Sequence, residues 1–184
     1  MRQEILDKKK KLLIRICIIF SLAIVAIILW IVIFKNGALL KTYKNDDIKF
    51  NYDKTWKLNK IDNDVVALTH KTGAIIEIKV NKLSSNLINS SIEQIKEEVR
   101  YDIEKQNSDY KLLNQEKKYI SKNQYEGYKL LYETQYDNDN AESMIIIIRN
   151  NNDLCVVNFT SKYEYFDILL DSFQEVFGTI EFRR

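Results

Sequence analysis

Residues 16–34, ICIIFSLAIVAIILWIVIF, hold no charged side chain, and they restrict this chain more than any other stretch. As a helix, nineteen residues rise ~28 Å, close to the ~30 Å hydrocarbon thickness of a bilayer. Lipid offers no partner for backbone N–H and C=O groups, so a helix is the conformation such a block takes there. Counted back to Leu12, just after Lys11, the apolar block carries Arg15 as its one charge. The pattern predicts a transmembrane helix over 12–34 and a basic tail over 1–11 that stays cytoplasmic. Lys11 and Arg15 mark the near membrane interface and Trp30 the far one. A cleaved secretory signal is disfavoured. Its apolar region is only ~7–15 residues and ends at small residues, and Asn36-Gly37-Ala38 matches that site poorly. The span has no small-xxx-small pair of the kind that brings two helices into close contact.

The expected address is therefore the cell membrane: a single pass, N-terminus inside, and an extracytoplasmic domain over 46–184 after a polar linker over 35–45. Charge agrees with this division. The chain has 28 Lys/Arg and 26 Asp/Glu, of which seven and two fall within the first 35 residues. That leaves 21 against 24 for the remainder, a net −3. Topology and anionic lipid account for the basic flank. The outer domain has no basic surplus for a phosphate backbone, so nucleic acid is excluded as a partner. Cys17 falls in the span and Cys155 far down the chain, so they do not pair, and Cys155 reads as a small buried hydrophobe. The absence of proline and the abundance of Asn, Lys and Ile suggest A+T-rich coding, as in a low-GC Gram-positive bacterium.

Within the domain, Ile48, Phe50 and Tyr52 alternate with polar residues, as in a half-buried strand. Trp56 is expected to plug one end of the core. Val65–His70 and Ala74–Val80 form a hairpin about Lys71-Thr72-Gly73. Ser90 with Glu93 fits a capping box. Ile92, Ile95, Val99 and Ile103 then give a helical apolar stripe ending near Gln106. Leu112–Ile120 and Tyr125–Tyr136 read as strands, with Asp137–Asn140 as a turn tip. Met144–Ile148, five apolar residues in a row, predicts a central strand covered on both faces. Leu154–Thr160 is its partner. Ser161 with Glu164 is a second capping box, Phe166 to Phe177 the second helix, Gly178 its left-handed stop, and Thr179–Phe182 a last strand. The order β-β-β-α-β-β-β-β-α-β predicts an α+β fold: a mainly antiparallel sheet flanked by two amphipathic helices.

These elements resemble the PsbP-like family, the fold of the extrinsic photosystem II protein and of bacterial secreted or anchored relatives. The likeness begins with Asp47-Ile48-Lys49-Phe50-Asn51-Tyr52-Asp53-Lys54-Thr55-Trp56, where Asp53 replaces the family's usual proline. It continues through Tyr125-Glu126-Gly127-Tyr128 and closes with Cys155-Val156-Val157-Asn158-Phe159-Thr160-Ser161 and Ile180-Glu181-Phe182. The resemblance implies an α/β/α sandwich and a binding or accessory module at a membrane, without a catalytic site or cofactor.

Residue chemistry points the same way. His70 is the only histidine, and no Ser or Cys has a nucleophile's setting beside it. Asp137-x-Asp139-x-Ala141 lacks the Gly and Glu that a calcium loop needs. There is no Cys/His cluster for zinc. Glu93, Glu97 and Glu104 populate a solvated helix face. Tyr128, Tyr132 and Tyr136 alternate along one strand, and they are either an interaction surface or a sheet face packed under a helix. The expected function is a non-catalytic, membrane-anchored accessory or binding module whose partners are the bilayer and another envelope or membrane protein. The alternatives are a structural subunit of a membrane-spanning secretion, conjugation or sporulation assembly and, disfavoured, an enzyme.

Overall fold

Alternation with period two organises the domain. β9 (Asp153–Lys162) reads DLCVVNFTSK and buries every second residue from Asp153 to Ser161. It is the middle strand of a seven-stranded sheet in the computed structural model, which describes residues 24, 40–60, 65–106 and 109–183. On one side lie β5 (Ile75–Lys82), β4 (Val65–Thr69) and β3 (Lys57–Lys60). On the other lie β8 (Asp139–Asn150), β7 (Tyr125–Tyr136) and β6 (Lys111–Ile120). Every pairing is antiparallel, and the β5–β9 ladder from Ile75↔Thr160 to Lys82↔Asp153 joins two meanders into one sheet. A second, three-stranded sheet holds β1 (Leu40–Lys44), β2 (Ile48–Asp53) and β10 (Glu181–Phe182). The helices are α1 (Ile92–Gln106) and α2 (Tyr163–Gly178).

The α+β class, the antiparallel pairing and the two helices match expectation. The second sheet was not anticipated. The segment 35–45, expected as a linker, contributes β1, tied to β2 by Thr42 Oγ1 donating to Asn51 Oδ1 at 2.9 Å. Lys11, Arg15, Trp30 and, but for Ile24, the expected span over 12–34 lie outside the described residues. Among the described residues no helix is long and apolar enough to cross a membrane.

β8 shows how the sheet divides the core. Its run Met144-Ile145-Ile146-Ile147-Ile148 is buried throughout. Met144, Ile146 and Ile148 join the core under α2, with Phe159, Phe166 and Phe173. Ile145 and Ile147 join the core under α1, with Ile92, Ile95, Leu130 and Tyr132. The two helices thus lie on opposite faces. Trp56, 1% exposed, ties the first core to α2 by donating from Nε1 to Ser172 Oγ at 2.7 Å.

Three local expectations are corrected. The capping box at α1 is formed by Ser91 and Gln94, not Ser90 and Glu93. Gln94 N–H donates to Ser91 Oγ at 3.3 Å, and Ser91 N–H donates to Gln94 Oε1 at 2.9 Å. Ser161 caps nothing, because β9 runs on to Lys162 and its hydroxyl donates to the Lys162 carbonyl. Gly178 is not a left-handed stop: it lies within α2, and the one described glycine with positive φ is Gly73 (φ 89°). Thr179 closes α2 instead, its hydroxyl donating to Glu175 O at 2.6 Å. The β7–β8 tip also narrows to Asp137 and Asn138, with φ of 52° and 65°, a backbone that Asp and Asn tolerate better than most residues.

Cys155 is fully buried on β9, and burial pushes its thiol up to about 12 from an ordinary 9.0. The sign follows directly. Above pH ~9 the unfolded chain loses a thiol proton that the folded chain keeps, so stability falls as pH rises. The stability advantage of wild type over Cys155→Ala is expected to shrink by ~1.4 kcal/mol per pH unit above pH ~9. Paired urea melts at pH 8 and pH 10.5 check this. An advantage that does not change with pH would contradict it.

Candidate functional site

The face of the large sheet that carries α1 is only half covered. Three cross-strand rows define it. From β4 to β7 they run Thr69–Ile75–Thr160–Ser143–Tyr132, Ala67–Glu77–Asn158–Ile145–Leu130 and Val65–Lys79–Val156–Ile147–Tyr128. At the β7 and β8 end the residues are sealed: Tyr132, Leu130 and Ile147 are 0% exposed and Ile145 is 2% exposed. That end lies under α1, seated by its buried Ile92 and Ile95, and at its margin Lys117 Nζ reaches Glu93 at 2.7 Å and Glu126 at 2.6 Å. At the β5 and β9 end, Glu77 and Lys79 are exposed, and Ile75, Val156, Asn158 and Thr160 are half-buried.

The result is a cleft of about 850 Å³ between α1 and the open strands. Its floor carries Ile75, Ile145, Leu154, Val156 and Asn158, and its wall is the flank of α1, with Val99, Asp102 and Ile103. At one end a chain of hydroxyls runs from Tyr110 to Ser143 (3.3 Å) and on to Thr160 (2.7 Å). Asn158 Oδ1 is buried in the floor, with no hydrogen-bond partner among the described residues. A buried acceptor left unsatisfied costs ~1–3 kcal/mol. The charged lining residues are Glu77, Asp102 and Asp109 against Lys79. Neither Glu77, Asp102 nor Lys79 has a salt-bridge partner among the described residues.

The three tyrosines read from the sequence part company here. Tyr132 is core, its ring 5.2 Å from that of Tyr110, and burial first, then the nearby Glu104, pushes its phenol up. Tyr128 is half-buried beneath Lys96, whose Nζ sits 5.1 Å from the ring centroid. Tyr136 lines the cleft. Their alternation puts all three on one face of β7, but does not show that α1 covers only the β7 side of that face. The polar β5 and β9 residues of the open half gave no signal of their own.

His70 lies elsewhere, in the β4–β5 hairpin. Its Nδ1 is 2.9 Å from Thr72 Oγ1 and its ring 5.3 Å from that of Trp56. Burial first, then Lys71, lowers its pKa. Asp139 pairs with Lys162 rather than joining a cation loop. No group of three His, Cys, Asp or Glu placed to hold a metal occurs among the described residues.

The architecture defines a PsbP-like fold. The cyanobacterial PsbP of Synechocystis superposes with a TM-score of 0.61 at 14% identity, over 79% of this chain and 93% of that one. LpqN of Mycobacterium tuberculosis, described as involved in cell envelope biogenesis, matches with a TM-score of 0.54 at 8% identity, over 82% and 94%. The Ran-binding protein Mog1p of Saccharomyces cerevisiae matches with a TM-score of 0.52 at 8% identity, over 76% and 86%. No family profile and no curated protein matches the sequence.

Proposed function

We propose that this chain is a single-pass membrane protein of a Gram-positive bacterium whose extracytoplasmic PsbP-like domain binds a partner protein of the envelope, without catalysis. The cleft on the open half of the sheet carries this reading. It combines an apolar floor with an acidic rim. Such a mixture of apolar area with a few polar groups suits recognition. Neither His70 nor Cys155, the groups most often used as base or nucleophile, is among its lining residues. By analogy of fold alone, a relative named for binding and another named for envelope biogenesis support the same role. The uncharged run over 16–34 supports the anchor.

Two measurements test the reading. Protease added to wall-stripped cells is expected to remove the domain beyond residue 45 while leaving the membrane-embedded segment. Photo-crosslinking from position 156 in the cleft is expected to trap a protein, whereas position 168 on the outer face of α2 traps far less. An intact domain in stripped cells would overturn the topology. Equal trapping from both faces would overturn the site.

A structural subunit joined through sheet edges is less well supported. The free edge β6 reads KLLNQEKKYI and carries a register shift between Leu112 and Asn114. Charges and bulges of this kind discourage edge-to-edge pairing.

A further inference from the structure

We infer that the occupant of the cleft is a basic amphipathic α-helix of the partner protein, laid alongside α1 on the open strands. This rests on the cleft being the binding surface and goes on to name what it takes.

Dimensions favour a helix. Seven strands at ~4.8 Å spacing make a sheet ~29 Å across, and a helix with side chains covers ~10–12 Å. α1 seals the β7 and β8 columns and leaves β9 and β5 open, with Val65 of β4 at the margin and Ala67 buried, a strip of two to three strands (~10–14 Å). One more helix fits that strip. The wall is also built for one. Val99 and Ile103, four residues apart on α1, both line the cleft, and an i, i+4 row is the ridge against which a neighbouring helix packs. The floor supplies half-buried Ile75, Val156 and Leu154 for the partner's apolar stripe.

Charge sets the sign of the partner. Glu77 rises from the open floor and Asp102 from the α1 wall, both exposed. Lys79 alone opposes the carboxylates of the lining. A helix with Lys or Arg flanking its apolar stripe meets Asp102 on one side and Glu77 on the other. An acidic helix would meet repulsion from both. This is recognition of a helix in a groove, with anchors at i, i+3 and i+4 spacing.

The test uses the full chain in its own cells, with a photoreactive residue at position 156. The crosslinked segment is then mapped by mass spectrometry. The expected result is a segment whose apolar residues recur every three to four positions with net positive charge. Glu77→Lys with Asp102→Lys is expected to lower the adduct yield about tenfold, and Lys-to-Glu changes in the mapped segment to restore it. Glu77→Gln with Asp102→Asn keeps near-native shape and is expected to give a smaller loss. An unchanged thermal melt for each variant separates lost docking from lost folding.

An adduct with an acidic or strand-forming segment, or one indifferent to charge reversal, overturns the helix while leaving the cleft a binding surface. Adducts only with a second copy of the chain, or with the chain's own first 39 residues, overturn it too. No protein adduct from position 156 overturns both the helix and the binding surface.

Discussion

Phe159→Ala is expected to cost about 4 kcal/mol, the range for truncating a large buried aromatic. Phe159 is 0% exposed on the central strand. Its ring stacks on Phe166 at 5.0 Å and on Phe173 at 4.8 Å, and meets the edge of Trp56 at 6.3 Å. One side chain thus joins the large sheet, the turn before β3 and α2. Truncation leaves a cavity that three aromatic rings cannot fill without leaving their rotamers. For a domain of this size the melting temperature should fall by roughly 10–15 °C. Phe159→Leu keeps most of the volume and should cost only about 1–2 kcal/mol. Thermal melts of the three proteins settle the matter, and a loss under about 1 kcal/mol for the alanine variant would show that this cluster is not the centre of the fold.

Gly127→Ala should be nearly as damaging, for the opposite reason. A Cβ at Gly127 would lie 2.3 Å from the Ile147 carbonyl oxygen and 2.6 Å from Ile120 Cδ1. The first contact is with backbone in the adjacent strand, where Gly127 pairs with Ile148. Relief requires the β7–β8 ladder to separate locally, and overpacking of this kind costs about 1–3 kcal/mol, here at the upper end. Gly178→Ala is the internal control. No atom lies within 4 Å of its Cβ position, and it is helical without positive φ. That change should stabilise slightly, by about 0.5–1 kcal/mol. Opposite signs at the two glycines, read from urea melts, are the expected outcome. A neutral Gly127→Ala would contradict the close approach of β7 and β8.

Much of this fold was legible because periodicity is a property of single elements. The Met144–Ile148 run announced a strand buried on both faces, and the Ile92, Ile95, Val99, Ile103 stripe announced a helix over a sheet. What was misread turned on competition between neighbours. Ser90-Ser91-Ile92-Glu93-Gln94 offers two capping boxes one residue apart, and the burial of Ile92 and Ile95 selects the second. Ser161 looked like a cap until pairing with Glu142 extended β9 through it. Gly178 looked like a stop because a threonine hydroxyl doing the same work is not visible as a pattern. β3, reading KLNK, is a short edge strand with no alternation to detect.

The cleft was the least legible feature, for a topological reason. Glu77 and Lys79 on β5 and Asn158 on β9 are some eighty residues apart in sequence. They become neighbours only through the β5–β9 ladder. No local pattern states that ladder. Nor does any local pattern state that α1, which follows β5, crosses to lie over β7. Tyr128 and Tyr132 drew notice because they alternate, yet burial under α1 removes Tyr132 from the surface and leaves Tyr136 on the cleft wall.

Amine footprinting in living cells compares the cleft with the rest of the surface in one experiment. A membrane-impermeant acylating reagent is added to wall-stripped cells, and each lysine's modification is compared with that in the purified full chain. Lys54 and Lys122 are exposed references away from the cleft lining, and Lys79 stands in it. The account predicts that Lys54 and Lys122 react equally in both settings while Lys79 is protected several-fold in cells. Lys79 reacting in cells as freely as the references would contradict an occupied cleft, and no reaction at any of the three would contradict the placement of the domain outside the membrane.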